Sequence, residues 1–362
     1  MDFDFSPDQY ALRDEARRFL TEQCPISVVR GVIDDPAAWS QDLWKRMADL
    51  GWMGMPFAEQ HGGLGQSWLD LVLLLEELGR ALAPVPFLSS IAWAGQVIDR
   101  HGSDEQRARL LPGLAAGDRV AVLALADASD GFGEDGVSVR AERDGDAWRI
   151  TGTKRFVLDA ATADVFVVAA RADDDVAWFV VEEPTSVEIK TAFDKTRSLG
   201  DVVLDNVVAE RLEVPGLQPG LRSATAALCA EMVGTAERIL EITVGYANQR
   251  EQFGRPIGSF QAIKHKAAEM KTELEAARAA AYYACWAAAT DAPDAELAAS
   301  VAKSYCSDAF AHLGGEGVQI HGGIAFTWEH DMHLFLRRIK AAEVLLGDAS
   351  YHRDRIATLA EL

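Results

Sequence analysis

Arg250, Gln252 and Gln261 fall within one short stretch, Arg250-Glu251-Gln252-Phe253-Gly254-Arg255-Pro256-Ile257-Gly258-Ser259-Phe260-Gln261, where two long apolar-periodic segments meet. A fixed cation with two amides in one turn is chemistry for anchoring a bulky anion, because a guanidinium offers phosphate oxygens a fork of charged donors. A solvated corner between helices has the same spacing. Gly254 is predicted to end the first segment, since glycine takes a positive φ cheaply, and Pro256 bars its continuation. Ser259 then stands where an N-cap would open the next helix.

Read whole, the stretch from Arg250 to His265 resembles the one that acyl-CoA dehydrogenases carry between the two long helices of their C-terminal domain. Gln319-Ile320-His321-Gly322-Gly323, followed by Phe326-Thr327-Trp328-Glu329-His330, resembles a second segment of that family, and the likeness extends over nearly the whole chain. It implies an FAD cofactor between a β domain and a helical bundle, with its ADP half held by a neighbouring subunit. Arg250 matches the arginine that meets the pyrophosphate; Gln252, Phe253, Ile257 and Gln261 match other contacts of the same turn; Gln319 and Gly323 match the segment near the adenosine. FAD rests on the resemblance alone, because the chain has neither a G-x-G-x-x-G after a strand nor a G-x-x-x-x-G-K-[ST].

The flavin-ring side matches less well. The family's Thr-Glu-Pro and Gly-Ser-Asp correspond to Ala126-Asp127-Ala128 and Gly131-Phe132-Gly133, and its Trp-Ile-Thr to Phe156-Val157-Leu158, so side-chain hydroxyls that bond the ring are missing. Each lost partner weakens binding by about 1 kcal/mol. Acyl-CoA dehydrogenation also needs a carboxylate to remove the α-proton while the β-hydride leaves for the flavin. The family's Tyr-Glu-Gly corresponds to Leu345-Leu346-Gly347, and Asp348 reads as a solvated or capping residue.

Other members place the base on the helix before the Arg250 turn, at the position of Ala224. Glu231, seven residues on, shares that helix face about 10 Å further along. Its neighbours Ala226-Ala227-Leu228-Cys229-Ala230 and Met232-Val233-Gly234 are apolar, and a carboxylate in such company is costly unless paired or functional. Glu231 is therefore the candidate base, with a buried ion pair as the alternative. Glu329 and His330 could form an acid/base pair, although Thr327-x-Glu329 reads better as the opening of a helix, and His321 and His265 read as structural. No spacing of His, Cys, Asp and Glu makes a metal site.

Elements must hold these residues in place. Ser6-Pro7-Asp8-Gln9 and Ser103-Asp104-Glu105-Gln106 are capping boxes that open helices, and 40–50 and 67–82 have helical periodicity. Five glycines between Gly51 and Gly65 predict an irregular loop. Strand-like runs follow at 120–126, 136–142, 147–157, 165–171, 176–181 and 202–208, with Asp144-Gly145-Asp146 as a hairpin turn. Helices return over 223–249, 259–290 and 295–314, then in two shorter pieces. The expected fold is α+β and acyl-CoA dehydrogenase-like: an N-terminal helical domain (1–118), a middle antiparallel β domain (119–215) and a C-terminal four-helix bundle (216–362).

Composition narrows the function. With 49% hydrophobic and 25% charged residues, and no apolar run near the roughly 20 residues that cross a bilayer, the 362-residue chain reads as globular. Its acidic first residues lack the marks of a signal peptide, which points to the cytoplasm. A net charge of −21 argues against nucleic acid and makes any local arginine at an anion site matter more. Cys24, Cys229, Cys285 and Cys306 show no CxxC spacing and read as core residues in a reducing compartment.

The resemblance implies an FAD-dependent acyl-CoA dehydrogenase subunit that oxidises an acyl-CoA to the trans-2-enoyl form and passes electrons to an electron-transfer flavoprotein. The Thr327-Trp328-Glu329-His330-Asp331 stretch, the Asp194-x-Thr196-Arg197 loop and the missing Tyr-Glu-Gly resemble a bacterial branch that handles bulky, including sterol-derived, acyl chains. Assembly as a homotetramer, or as an α2β2 heterotetramer with a sister chain, follows from the same likeness. Two rivals remain: a non-catalytic partner that completes a neighbour's FAD site, and a flavin monooxygenase or oxidase on the same fold.

Overall fold

A computed structural model describes residues 5–127, 131–145, 147–173 and 175–362. The chain forms two compact units: a helical one of Met1–Val29, Val72–Ala83 and Thr225–Leu362, and a second, sheet-containing one of Arg30–Leu71 and Pro84–Ala224. The helices of the first part are α1 (Pro7–Gln23), α2 (Ile26–Val32), α3 (Gln41–Asp49), α4 (Trp68–Ala81), α5 (Gln96–His101) and α6 (Asp104–Ala115). Both capping boxes are formed, Ser6 with Gln9 and Ser103 with Gln106. The glycine-rich 51–65 segment is irregular apart from two short 3-10 turns, and a π-helical stretch, Leu88–Gly95, precedes α5.

The sheet comprises β1 (Ala121–Ala124), β2 (Arg140–Asp144), β3 (Ala147–Leu158), β4 (Val165–Ala172), β5 (Asp175–Val181), β6 (Ser186–Lys190) and β7 (Leu199–Arg211). Most pairings are antiparallel, but β1 and β2 each run parallel to β4. The pairs β4–β2, β2–β3, β3–β7, β7–β5 and β5–β4 return to their start and close a ring, which removes exposed edges from those strands. Asp144 pairs with Ala147 across the expected hairpin turn, of which Asp146 lies outside the described residues.

The second helical part is α7 (Gln218–Gln249), a short hairpin of β8 (Glu251–Gln252) and β9 (Arg255–Pro256), then α8 (Gln261–Ala289), α9 (Ala295–His321), α10 (Met332–Val344) and α11 (Ala349–Leu359). Within the helical unit α4 and α7 cross backbone to backbone. A side chain's first carbon on Gly234 would stand 1.7 Å from the Glu76 carbonyl oxygen, and one on Gly79 2.1 Å from that of Glu231. The Thr235 hydroxyl donates to the Gly79 carbonyl across this contact at 3.1 Å.

Charge reinforces the same junction. Arg17 on α1 donates to both carboxylate oxygens of Glu77, and Arg278 on α8 to Glu76 and Glu237 at 3.0 Å each. Burial raises the Glu76 carboxyl above its ordinary range, against the pull of the Arg278 charge. Around this network the core is small-residue rich, with Ala277, Ala281, Ala284 and Ala288 of α8 all buried. All four cysteines are buried and free. Among the described residues no helix is long and apolar enough to cross a membrane.

Candidate functional site

α7 stops at Gln249, the end expected for the 223–249 helix, with Gly254 in the hairpin beyond it, and the Arg250 N–H closes its end on the Tyr246 carbonyl at 2.8 Å. The two-residue turn between β8 and β9 puts Phe253 at φ +54 and Gly254 at φ +75, the left-handed pair that a type I′ hairpin requires. Phe253 thus stands 93% exposed at the tip, edge-on to Phe260, whose ring lies 4.1 Å below the Arg255 guanidinium. The Ile257 N–H donates to the Arg250 carbonyl at 2.8 Å and closes the hairpin base. Ser259 is not the N-cap: its hydroxyl bonds the Pro256 carbonyl at 2.7 Å, and α8 opens from Phe260 without a side-chain cap.

The second predicted segment lies at the end of α9, which runs on through three glycines to His321 rather than stopping at Gly314. Those glycines do not end the helix, because two of them admit a neighbour: a first side-chain carbon on Gly317 would meet Ile239 at 3.0 Å, and one on Gly314 would meet Leu336 at 2.9 Å. Tyr246, four residues before Arg250, stacks on His321 with centroids 4.5 Å apart and planes 24° from parallel. His321 donates from Nδ1 to the Gly317 carbonyl at 2.7 Å, and burial depresses its pKa. The stack joins the helix ends that lead into Arg250–Gln261 and carry Gln319–Gly323. His330 lies against His321 at 4.8 Å and accepts from the Met332 N–H at 3.1 Å, so α10 opens there and not at Thr327.

Among the described residues, the Arg250 guanidinium and the side-chain amides of Gln261 and Gln319 have no hydrogen-bond or ion-pair partner. Gln252 turns its amide onto the Glu251 carbonyl at 2.8 Å. Gly322 and Gly323 face open space.

Glu231 lies 19 residues before Arg250 on α7, about 28 Å away at 1.5 Å per residue. It is buried and accepts from Arg338 Nη1 of α10 at 3.1 Å, with Arg338 itself 1% exposed. This is the buried pair that stood as the alternative to a base. Taking up a substrate proton there would cancel the negative charge that faces the buried Arg338 guanidinium.

The Leu345-Leu346-Gly347 turn is held by its backbone. Leu346 and Gly347 are left-handed, at φ +57 and +103. Buried Lys303 donates from Nζ to the carbonyls of Glu343 and Gly347, at 2.9 and 2.8 Å, and to Ser307 Oγ at 3.0 Å; His352 Nε2 donates to the Leu346 carbonyl at 3.1 Å. Asp348 caps α11 by accepting from the Tyr351 N–H at 2.8 Å.

Burial, with the Lys303 charge adding to it, lowers His352 to about 4. An unfolded histidine titrates near 6.5, so between those values the unfolded chain holds more protons and stability falls as pH drops. Unfolding at pH 5 rather than 7 should show a loss of about 2 kcal/mol from this residue, and His352→Gln should remove that share. An unchanged pH dependence in the variant would rule this contribution out.

On the ring side, in the sheet-containing unit, Asp127 is already engaged. It pairs with fully buried Lys154 and accepts from Ser138 Oγ at 3.0 Å and the Val139 N–H at 2.8 Å. Burial lowers Lys154 to about 8 despite that carboxylate. Ala128 lies outside the described residues. Phe156 is 57% exposed at φ +53, with its N–H on Asp201 Oδ1 at 3.2 Å, while Val157 and Leu158 are buried against β7.

The N-terminal, middle and C-terminal domain models of acyl-CoA dehydrogenases match residues 6–118, 123–207 and 218–360. The chain belongs to the acyl-CoA dehydrogenase family. It is 32% identical to the acyl-CoA dehydrogenase IpdE2 of Mycobacterium tuberculosis, over 94% of this chain and 93% of that one. It is 36% identical to FadE34 of the same organism over 90% of this chain and 42% of the longer relative. Among solved structures, a Tcur3481-Tcur3483 steroid acyl-CoA dehydrogenase superposes with a TM-score of 0.92 at 33% identity, covering 98% of both chains. The ChsE4-ChsE5 complex of M. tuberculosis superposes at 0.91 with 28% identity, covering 100% of both.

In this member of the acyl-CoA dehydrogenase family, the donor set fits the ADP half of a flavin dinucleotide. An uncommitted guanidinium in a chain of net charge −21, with two free amides and an open diglycine, suits a pyrophosphate and its nucleoside. The matched ring-side residues supply no side-chain hydroxyl. Among the described residues no group of three His, Cys, Asp or Glu is arranged to hold a metal ion. Sequence reasoning missed Arg338, Lys303, His352 and Tyr246. Tyr246 alone had a local signal, its place one helical turn before Arg250.

Proposed function

We propose that this chain is a subunit of an FAD-dependent acyl-CoA dehydrogenase that completes a flavin site for a sister chain and carries no proton-abstracting carboxylate of its own. The engagement of Glu231 by Arg338 carries this reading, because the other base position holds Leu346 and the nearby Asp348 is a helix cap. A bound flavin would supply the hydride acceptor for the acyl β-carbon. This chain's part is to present Arg250 and Gln261 to the pyrophosphate and Gln319 to Gly323 to the nucleoside. Two-chain relatives, one of them a steroid acyl-CoA dehydrogenase, support an α2β2 assembly acting on a bulky, sterol-derived acyl-CoA, with an electron-transfer flavoprotein as acceptor.

The test is flavin per chain, from the visible spectrum and assembly mass, for the protein made alone and with a co-encoded sister chain. The expected result is a nearly colourless protein alone and one flavin per pair with the sister. A yellow homotetramer with one flavin per chain overturns the partner reading and returns Glu231 to candidacy as the base. In the flavin-binding assembly, Arg250→Gln should weaken FAD binding by about 10- to 100-fold, the effect of removing a hydrogen bond from a charged group.

A further inference from the structure

We propose that Tyr246 and His321 are the positioning residues of the dinucleotide site, setting the separation at which the Arg250 hairpin and the Gln319–Gly323 segment reach one ligand. The assignment rests on the flavin-site reading above and adds to it which contact makes the two segments act together.

Arg250 follows Tyr246 by four residues, so the guanidinium leaves the helix one turn beyond the stacked ring. Gln319 and Gly323 flank His321 by two residues on either side. A displacement of one ring against the other therefore moves both sets of donors. The His321 ring is fixed from three directions: Tyr246 covers one face at 4.5 Å, His330 stands against it at 4.8 Å, and the Gly317 carbonyl takes its Nδ1 proton at 2.7 Å. Its Nε2 is buried with no partner among the described residues, so the imidazole is held by packing and one hydrogen bond rather than as a charged group. The hairpin beyond Tyr246 is exposed from Arg250 to Arg255, and the Arg250 carbonyl to Ile257 N–H bond ties it only to itself.

The experiment titrates FAD and FMN into the apoprotein of whichever assembly takes up flavin, and follows the ratio of the two affinities. FMN lacks the AMP portion and keeps one phosphate, so general loosening weakens both ligands alike, whereas moving the segments that hold the outer phosphate and the adenosine lowers the preference for FAD. Tyr246→Leu should lower that preference about three- to tenfold, the range an aromatic pair supports, and Tyr246→Phe should keep it within about twofold. If Tyr246→Leu leaves the preference unchanged while Arg250→Gln weakens FAD binding, the positioning role is wrong and the cofactor site stands. If Arg250→Gln has no effect either, the cofactor site itself is wrong. Should Tyr246→Leu fail to assemble, His321→Asn takes its place with the same expectation and the same overturning result, since it removes the ring and keeps a donor for Gly317.

Discussion

Arg338→Met should destabilise the folded protein by about 3–5 kcal/mol, because it leaves the Glu231 carboxylate buried against apolar helices with its charged partner gone. Urea unfolding midpoints read this directly. Glu231→Gln should also destabilise, since it removes the carboxylate charge that faces the buried Arg338 guanidinium, yet turnover by the assembled protein should stay within about threefold, where losing a general base costs about 100-fold or more. The double variant Glu231→Leu/Arg338→Met should recover most of the lost stability, as buried pairs replaced by packed apolar side chains do. A thousandfold fall in turnover for Glu231→Gln with an unchanged midpoint would reverse the assignment and make Glu231 the base.

Gly234→Ala should cost more than about 3 kcal/mol, beyond ordinary overpacking, because the added carbon would lie 1.7 Å from a main-chain oxygen that has no rotamer to change. The helices would have to separate, and the Thr235 hydroxyl would lose its hold on Gly79. Gly79→Ala acts on the same crossing from the other side, at 2.1 Å from the Glu231 carbonyl oxygen, so the two penalties should be well below additive. A loss under 1 kcal/mol for Gly234→Ala would show that α4 and α7 are not in backbone contact.

Helix starts were legible where a polar cap precedes an apolar rhythm, as at Ser6, Ser40 and Ser103, because that chemistry is local. β6 was not, since Ser186-Val187-Glu188-Ile189-Lys190 is a largely exposed strand with charged residues and little apolar content to mark it. α9 runs seven residues past the end that its glycines predict, because glycines that make room for Ile239 and Leu336 look, in sequence, like a terminator. The same limit applies to the site. The Arg250 turn announces itself through types and spacing, but the partner of Glu231 lies 107 residues further on, and no periodicity predicts which buried arginine meets which carboxylate. The backbone clamp by Lys303 was equally hidden, since its acceptors are mostly main-chain carbonyls that every residue possesses.

That clamp separates shape from chemistry. Lys303 and His352 grip carbonyl oxygens, and none of their bonds involves the side chains of Leu345 or Leu346. A turn secured in this way tolerates replacement of what it displays, so a carboxylate and a leucine are interchangeable there without loss of the bend. Duplicated chains sharing such a turn are free to diverge, one keeping the reactive group and the other losing it, while both remain foldable and able to pair. On the partner-subunit reading proposed above, division of labour between sister subunits begins with a single codon and needs no rebuilding of the scaffold.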